Sequence, residues 1–131
     1  MPEFKELFQS ADWKSEKHVP VIVAPNSIAK GEMCEVTVGI GKEVAHPNKT
    51  EHHIAWAELY FHAEGDKFPY QIGRAEFRAH GASAQGADTS GVYTHHEVMF
   101  RFKTEKSGMI YASSYCNIHG LWQSQKPLAV E

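Results

Sequence analysis

Breakers of regular structure recur along this chain at short intervals, and they constrain the possible fold more than any other feature. Turn-forming pairs stand at Pro25-Asn26, Pro47-Asn48 and Gly65-Asp66, and isolated glycines continue as far as Gly120. The runs between them are short and rich in Val, Ile, Phe and Tyr, which favour β-strands. Many short strands at fairly even spacing predict an all-β sandwich or barrel.

Seven strands are predicted from these runs, at 19–24, 32–40, 54–63, 68–79, 92–104, 108–115 and 121–130. The second run alternates clearly, with apolar side chains on one face at Cys34, Val36, Val38 and Ile40. Only residues 3–10 suggest a helical turn. Seven strands in 131 residues match an immunoglobulin-like β-sandwich, and a chain without repeats or linker-like stretches predicts a single domain over residues 1–131.

Composition argues against several classes of protein. The formal net charge is −3 and there is no basic run, so a nucleic-acid partner is not expected. No apolar run approaches the ~20 residues of a membrane span, and the first residues carry no apolar signal segment. Two cysteines are too few for a disulfide framework. These features predict a cytoplasmic protein with reduced thiols and no membrane association.

Three short segments at predicted strand ends or in loops concentrate the reactive side chains, at positions 16–20, 46–53 and 115–120. A rigid β scaffold usually places functional groups in such positions. In the last segment, Cys116 and His119 are spaced so that one tight turn can direct a sulfur and an imidazole at a common point. On its own this spacing is a weak signal, because a cysteine and a histidine are often mere neighbours in a loop.

The two upstream segments supply further imidazoles, and imidazole is the commonest metal ligand. His46 and His52 flank a Pro-Asn loop that can fold back and bring both rings together. His52 and His53 point opposite ways in an extended chain, so at most one of them faces a shared metal, and geometry leaves the choice open. His18, just before the first predicted strand, would by itself be interpreted as a surface residue.

Together these segments offer four histidines and one thiolate, which are too many for a structural zinc site that closes with four ligands. Five nitrogen and sulfur ligands suit a redox metal with one coordination position open. Imidazole binds iron, copper and zinc alike, so the ligand types leave the metal undecided.

In order and spacing, the three segments resemble the superoxide reductases of the one-iron neelaredoxin type. The motifs are Glu-Lys-His-x-Pro at 16–20, His-Pro-Asn-x-Thr-Glu-His-His at 46–53 and Tyr-Cys-Asn-x-His-Gly at 115–120. Shorter matches are Ala-His-Gly at 79–81 and Gly-Leu-Trp at 120–122. The resemblance extends over nearly the whole chain. It implies an immunoglobulin-like β-sandwich that carries one mononuclear iron and reduces superoxide to hydrogen peroxide.

The resemblance also implies which residues act. The ligands of the implied Fe(His)4(Cys) centre are His18, His46, His52, His119 and, in the axial position, Cys116. The resemblance therefore selects His52 over His53. It gives catalytic roles to Glu16, which can occupy the sixth position on ferric iron, and to Lys17 beside the open position. Lys49, where the family more often has threonine, would add positive charge nearby.

Partners follow from the same resemblance. It implies superoxide as substrate, a rubredoxin-like electron donor and assembly into a homotetramer. The two-iron relatives carry an additional desulforedoxin module with four cysteines, so a single iron is expected here.

The other conspicuous residues are expected to serve packing or the surface. We expect about half of the nine histidines to be exposed. No metal role is expected for the five outside the ligand set, namely His53, His62, His80, His95 and His96. Cys34 is interpreted as a small core residue. The tryptophans at positions 13, 56 and 122 are interpreted as packing residues, the last of them beside the site.

Two other kinds of protein fit part of this pattern. A blue-copper protein, also a mononuclear electron-transfer metalloprotein, combines a β-sandwich with histidines and a cysteine, but no methionine follows Cys116 here. An immunoglobulin-like binding module would need a Cys34–Cys116 disulfide, with Trp56 between the two cysteines. The first alternative predicts bound copper and the second predicts no free thiol, whereas the iron centre predicts two free thiols once the metal is removed.

Overall fold

The computed structural model describes residues 1–131, and its eight strands form two sheets. The strands are β1 (Pro20–Val23), β2 (Ser27–Ile28), β3 (Cys34–Ile40), β4 (Ile54–Ala63), β5 (Tyr70–Glu76), β6 (Glu97–Phe102), β7 (Gly108–Cys116) and β8 (Gly120–Val130). A single turn of 3-10 helix, Phe4–Leu7, precedes them. No helix has the length and apolar character that crossing a membrane requires.

The two sheets have different sizes. The smaller sheet has the strand order β1-β3-β6, and the larger has the order β2-β8-β7-β4-β5. All neighbouring strands are antiparallel except β2 and β8, which are parallel. Mostly antiparallel sheets that bury one face each are the architecture of a β-sandwich, so the predicted all-β fold is confirmed.

The core lies between the two sheets and forms one cluster of 15 buried residues. The alternating face of β3 predicted from the sequence is buried in it, and Cys34 has no exposed surface, which confirms its interpretation as a core residue. Full burial of a Val, Leu or Ile side chain stabilises the folded state by ~1.5–3 kcal/mol. The core therefore holds rigid the strand ends that carry the loops.

The observed strands differ from the predicted ones in number and length. The additional strand, β2, has only two residues, too few to show alternation in the sequence. The predicted strands 68–79 and 92–104 were too long, because β5 ends at Glu76 and β6 begins at Glu97. Residues 77–95 between them make isolated hydrogen bonds, such as Phe77 N–H to the Ala55 carbonyl (2.8 Å), instead of a continuous ladder.

A bulge and a hairpin shape the end of the sandwich where the histidine segments lie. The register of β4 against β7 shifts between Ile54 and Trp56, which is a bulge in the strand that follows the second histidine segment. At the same end, β7 and β8 form a hairpin in which Cys116 pairs with Gly120. Bulges occur often beside functional sites because they change the direction of the chain and its side chains.

Candidate metal centre

The hairpin between β7 and β8 carries two of the predicted ligands. Cys116 closes β7, and His119 is the last residue of the three-residue loop before Gly120. The loop folds back so that the backbone N–H of His119 donates to the Cys116 Sγ at 3.3 Å. Gly120 has a φ of +82°, a conformation that favours glycine at the end of such a loop. The Cys-x-x-His spacing therefore forms the tight turn that the sequence predicts.

His18 lies at the entry to β1, against the larger sheet. The hydroxyl of Ser114 donates to the His18 carbonyl at 3.4 Å, and the hydroxyl of Ser124 donates to the Pro20 carbonyl at 2.6 Å. These side chains come from β7 and β8, so the segment is fastened to the hairpin strands. His18 is buried there, not on the surface as its position alone would suggest.

His46 and His52 lie in the loop between β3 and β4. The turn from Lys49 to His52 is closed by two backbone hydrogen bonds, of 2.9 and 3.2 Å. His52 faces the interior of the site, whereas the ring of His53 stacks on His80. The structure thus brings His52, and not His53, to the other candidate ligands.

The five candidate ligands meet at one end of the sandwich. Ligand atoms of His18, His52, Cys116 and His119 all lie within 4.8 Å of one another, a grouping that could hold a metal ion. His46 stands outside that group of four but touches it, with its Nε2 at 3.6 Å from the Cys116 Sγ. Three separate loops contribute, and no two of them are adjacent in the sequence.

The four imidazoles follow one another around a ring. Neighbouring ring centroids are 4.9 Å apart for His18 and His46, 4.8 Å for His46 and His52, 5.0 Å for His52 and His119, and 4.6 Å for His119 and His18. The centroids of His18 and His52, which face each other across the ring, are 6.4 Å apart. The Cys116 Sγ lies 3.6 and 3.7 Å from nitrogens of His46 and His119, the other opposite pair. The Cys116 sulfur therefore lies close to the same space that the imidazole nitrogens face, where it would add a thiolate ligand.

The inward nitrogens fit a cation. His18 Nε2 and His119 Nδ1 are only 3.0 Å apart, and His52 Nε2 is buried without any hydrogen-bond partner. A buried polar atom left unpaired costs about 1–3 kcal/mol, so such atoms are rare without a reason. A metal ion bound between these nitrogens would satisfy them together.

Hydrogen bonds on the outward nitrogens orient two of the rings. His46 Nδ1 lies 2.6 Å from the Pro47 carbonyl, and His18 Nδ1 lies 3.1 Å from the Glu16 carboxylate. A proton held on Nδ1 leaves the lone pair on Nε2, the nitrogen that faces the centre. Such outer hydrogen bonds fix the tautomer and orientation of metal-binding histidines.

Two of the imidazoles, those of His46 and His52, are held neutral, as metal ligands must be. Burial lowers the pKa of His46 to about 4. Burial also lowers the pKa of His52, and the nearby His119, His18 and Lys17 lower it further. Both rings therefore have a free lone pair at neutral pH.

Glu16 and Lys17 lie beside His18 and are both half-buried. The Glu16 carboxylate accepts hydrogen bonds from the His18 backbone N–H and lies against its ring. Although burial raises the pKa of Glu16, these hydrogen bonds outweigh burial, and the pKa is lowered overall. Glu16 is thus a carboxylate bound to His18, and Lys17 is near enough for its charge to act on His52.

Trp122 and Gln9 support the centre, and the role of Gln9 is not foreseen from the sequence. Trp122 stacks on His18, with centroids 5.0 Å apart and planes at 14°, and its Nε1–H donates to the His119 carbonyl at 3.2 Å. The Gln9 side chain donates to the same carbonyl at 3.3 Å. Trp122 therefore contacts two candidate ligands at once, which confirms its expected place beside the site. No motif surrounds Gln9 that could have marked it.

Two expectations about exposure were wrong. Only His95 and His119 among the nine histidines are exposed, not about half, because most of the others pack in or around the site and its loops, and His62 packs at the far end of β4. His96 is buried, with its Nδ1 unpartnered, at 6.0 Å from His46 between ring centroids. Trp13 is 37% exposed and does not belong to the core.

Neither the binding-module hypothesis nor the blue-copper hypothesis fits the structure. Cys34 and Cys116 are both free, so there is no disulfide of the kind an immunoglobulin-like binding module would need. A blue-copper site uses two histidines and one cysteine, so it would leave two of the four clustered imidazoles without a metal to bind.

A β-sandwich with one histidine- and cysteine-lined centre in its end loops defines a class of metalloprotein. The desulfoferrodoxin profile matches residues 10–125. The chain belongs to the desulfoferrodoxin family.

Similar proteins cover nearly the same length. Superoxide reductase from Pyrococcus furiosus is 54% identical over 94% of this chain and 97% of its own. Neelaredoxin from Megalodesulfovibrio gigas is 52% identical over 96% of this chain and 97% of its own. The solved structure of superoxide reductase (neelaredoxin) from Archaeoglobus fulgidus in the reduced form is 62% identical, with a TM-score of 0.88 over 94% of this chain and 98% of that one.

Proposed function

We propose that this protein is a superoxide reductase, an oxidoreductase that gives one electron to superoxide and releases hydrogen peroxide without forming oxygen. The observation that carries the proposal is the convergence of four imidazoles and one thiol at one end of the sandwich. Relatives that bear this name are similar to the chain over nearly its whole length.

The proposed cofactor is one mononuclear iron per chain. His18, His46 and His52 would hold it through Nε2, and His119 through Nδ1, since these are the nitrogens that face the centre. Cys116 would add its thiolate. When bound, the iron supplies the single electron for the reaction and changes from ferrous to ferric. Five nitrogen and sulfur donors suit such a redox metal better than structural zinc.

Capture of superoxide, a small anion, requires local positive charge on a chain whose formal net charge is −3. Neutral imidazoles contribute none. Lys17 supplies it, because its charge already acts on His52. The exposed Lys49, on the loop that presents His46 and His52, adds to it. Local fields of this kind raise association rates by factors of ~10 to ~1000 and weaken as salt is added.

Glu16 has two proposed roles. Bound to His18, it keeps that ring in the tautomer whose Nε2 faces the centre. As an anion two positions before His18 in the sequence, it would be available to bind the oxidised metal as a sixth ligand. The second role requires the carboxylate to leave His18.

Two protons must reach the reduced substrate so that superoxide, one electron and two protons balance hydrogen peroxide. The exposed His119 and the half-buried Lys17 leave the centre open to water, which can deliver both protons. The same exposure gives an external electron donor access, and a rubredoxin-like carrier is the proposed partner.

The proposal extends to assembly and location. A single domain over residues 1–131 would associate as a homotetramer, for which exposed apolar side chains such as Phe4, Phe68 and Tyr70 offer contact surface. Two free buried thiols suit a reducing compartment, which supports a cytoplasmic location.

Product stoichiometry tests the proposed reaction. With a reductant present, a superoxide reductase yields one hydrogen peroxide for each superoxide consumed, whereas a dismutase yields one for every two and releases oxygen. The assay combines iron analysis of the purified protein with peroxide and oxygen measurements during enzymatic superoxide generation. Oxygen release with the lower peroxide yield would contradict the proposal, as would copper in place of iron.

A further inference from the structure

The loop that presents His46 and His52 has little internal structure. Its turn is closed by the two backbone hydrogen bonds between Lys49 and His52. Most of its other fixed contacts reach the segment 77–95, which connects β5 and β6. Asn48 donates through Nδ2 to the Thr94 carbonyl at 2.9 Å, and Thr50 donates through its hydroxyl to the His80 carbonyl at 2.9 Å. Asn117, in the loop between β7 and β8, makes three further hydrogen bonds to Glu51 and His53, so two of the proposed ligands depend on neighbouring loops for their position.

His80 lies at the centre of the contact between these two loops. Its ring stacks on that of His53, with centroids 3.5 Å apart and planes at 6°. Both of its ring nitrogens face oxygen acceptors: Nδ1 lies 3.1 Å from Asn48 Oδ1 and Nε2 lies 2.5 Å from the Phe77 carbonyl, so the neutral ring donates to one of the two. One side chain therefore contacts the ligand loop at Asn48 and at His53, on either side of the turn that ends in His52.

We propose that His80 is a positioning residue for the metal centre. It holds the segment 46–53 so that His46 and His52 already face Cys116 before the metal binds. The ring touches neither the metal position nor a ligand, and acts through Asn48 and His53. Preorganised ligands bind a metal more tightly, because they lose less conformational freedom on binding. Substitution of a residue that orients metal ligands typically weakens metal affinity ~10- to ~100-fold.

The inference rests on the proposed metal centre, but not on the superoxide reaction. Its measure is metal retention, which is independent of turnover. A chain that held iron without reducing superoxide would disprove the proposed function and still test His80.

The experiment compares three substitutions of His80. His80→Phe keeps a flat ring against His53 but loses both polar contacts, and His80→Gln keeps a polar group but loses the stack. His80→Leu loses both. Release of iron from the reduced, iron-loaded protein to a coloured ferrous chelator is followed over time, and the melting temperature of each iron-free variant is recorded.

His62→Phe is the matched control. His62 is also half-buried, and its Nε2 also lies near a backbone carbonyl, that of Asp66 at 2.7 Å, but it stands on β4 away from the centre. Its substitution measures the cost of losing such a contact elsewhere in the fold.

We expect His80→Leu to release iron ~10- to ~100-fold faster than the unmodified protein, with His80→Phe and His80→Gln in between and His62→Phe unchanged. Release within twofold of the unmodified rate in His80→Leu would overturn the proposal. So would equal acceleration in His62→Phe, which would indicate general destabilisation. If His80→Leu does not fold, the comparison rests on the Phe and Gln variants.

Cobalt(II) provides an independent probe of the same loop. Imidazole and thiolate also bind cobalt, and its visible spectrum reports binding directly. The His80 variants should bind it more weakly than His62→Phe does, even if the chain held no iron. Equal cobalt affinity in all variants would overturn the proposal.

Discussion

Nε2 of His18 lies 3.0 Å from Nδ1 of His119, although the two residues are 101 positions apart in the chain. One ring is anchored at the entry to β1 and the other in the hairpin between β7 and β8. Trp122 stacks on the first and donates to the carbonyl of the second, so both are held from behind. At this distance the two nitrogens can share a hydrogen bond, and they can also both ligate one cation, which the predictions below test.

Substitution of Cys116 tests the axial ligand. Cys116→Ser should abolish the thiolate-to-iron charge-transfer band of the oxidised protein, because a hydroxyl does not replace a thiolate as electron donor. The visible spectrum after mild oxidation is the measurement. Cys34→Ala is the control: it removes the other buried thiol, should cost about 1 kcal/mol of stability and should keep the band. A band that persists in Cys116→Ser would disprove the assignment.

Lys17→Ala tests electrostatic capture. Removing the charge that acts on His52 should slow the reaction with superoxide, by up to ~10-fold, and flatten its dependence on ionic strength. Pulse radiolysis at several salt concentrations measures both. Lys30→Ala is the control, since Lys30 is exposed and pairs with Glu105 instead of approaching the centre. The same salt dependence in Lys17→Ala and the unmodified protein would remove Lys17 from the mechanism.

Alanine variants of two glycines with the same backbone conformation distinguish the effect of backbone strain from that of steric crowding at His46. Gly31 and Gly41 both have a φ of +76°, but a Cβ at Gly31 would meet nothing within 4 Å, whereas at Gly41 it would lie 2.6 Å from the His46 backbone nitrogen. Both alanine variants should lose about 1–2 kcal/mol to backbone strain. Only Gly41→Ala should also displace His46 and weaken metal binding.

Thermal unfolding and iron content of the two glycine variants provide the comparison. Equal iron content in Gly31→Ala and Gly41→Ala would show that the loop carrying His46 tolerates the added methyl group.

His96 predicts a pH dependence of stability. Burial lowers its pKa from 6.5 to about 4 in the folded protein, so between these values the unfolded chain binds more protons. Above pH 6.5 the neutral His96 ring costs no stability. As the pH falls from 6.5 towards 4, the free energy of unfolding decreases by about 3 kcal/mol. His96→Leu should make this slope less steep, and His46, whose pKa burial also lowers to about 4, should account for part of the slope that remains.

Denaturant unfolding of the unmodified protein and His96→Leu from neutral pH downwards measures the difference. His95→Leu serves as the comparison: His95 is exposed and contributes less than burial to the lowered pKa of His96, so this variant should change the slope less than His96→Leu does. Identical slopes in all three proteins would mean that His96 takes up its proton without cost in the folded state.

The sequence was sufficient where spacing along the chain decides the structure. Alternation in β3 predicted the buried face that contains Cys34, and the Cys-x-x-His spacing predicted the turn that joins Cys116 and His119. Both are local properties, since a strand repeats every two residues and a hairpin loop joins near neighbours. The short β2 was missed because its two residues pair with the distant end of β8.

The sequence by itself determined the residue types of the centre, an all-β scaffold and the loops that bear the ligands. Only the tertiary structure decided which nitrogens face inward, that His53 turns to His80 instead of the centre, and that Gln9 supports His119. Those outcomes depend on contacts between segments up to 110 positions apart. Periodicity carries no information about such contacts, because they form only when the two sheets pack and bring their end loops together.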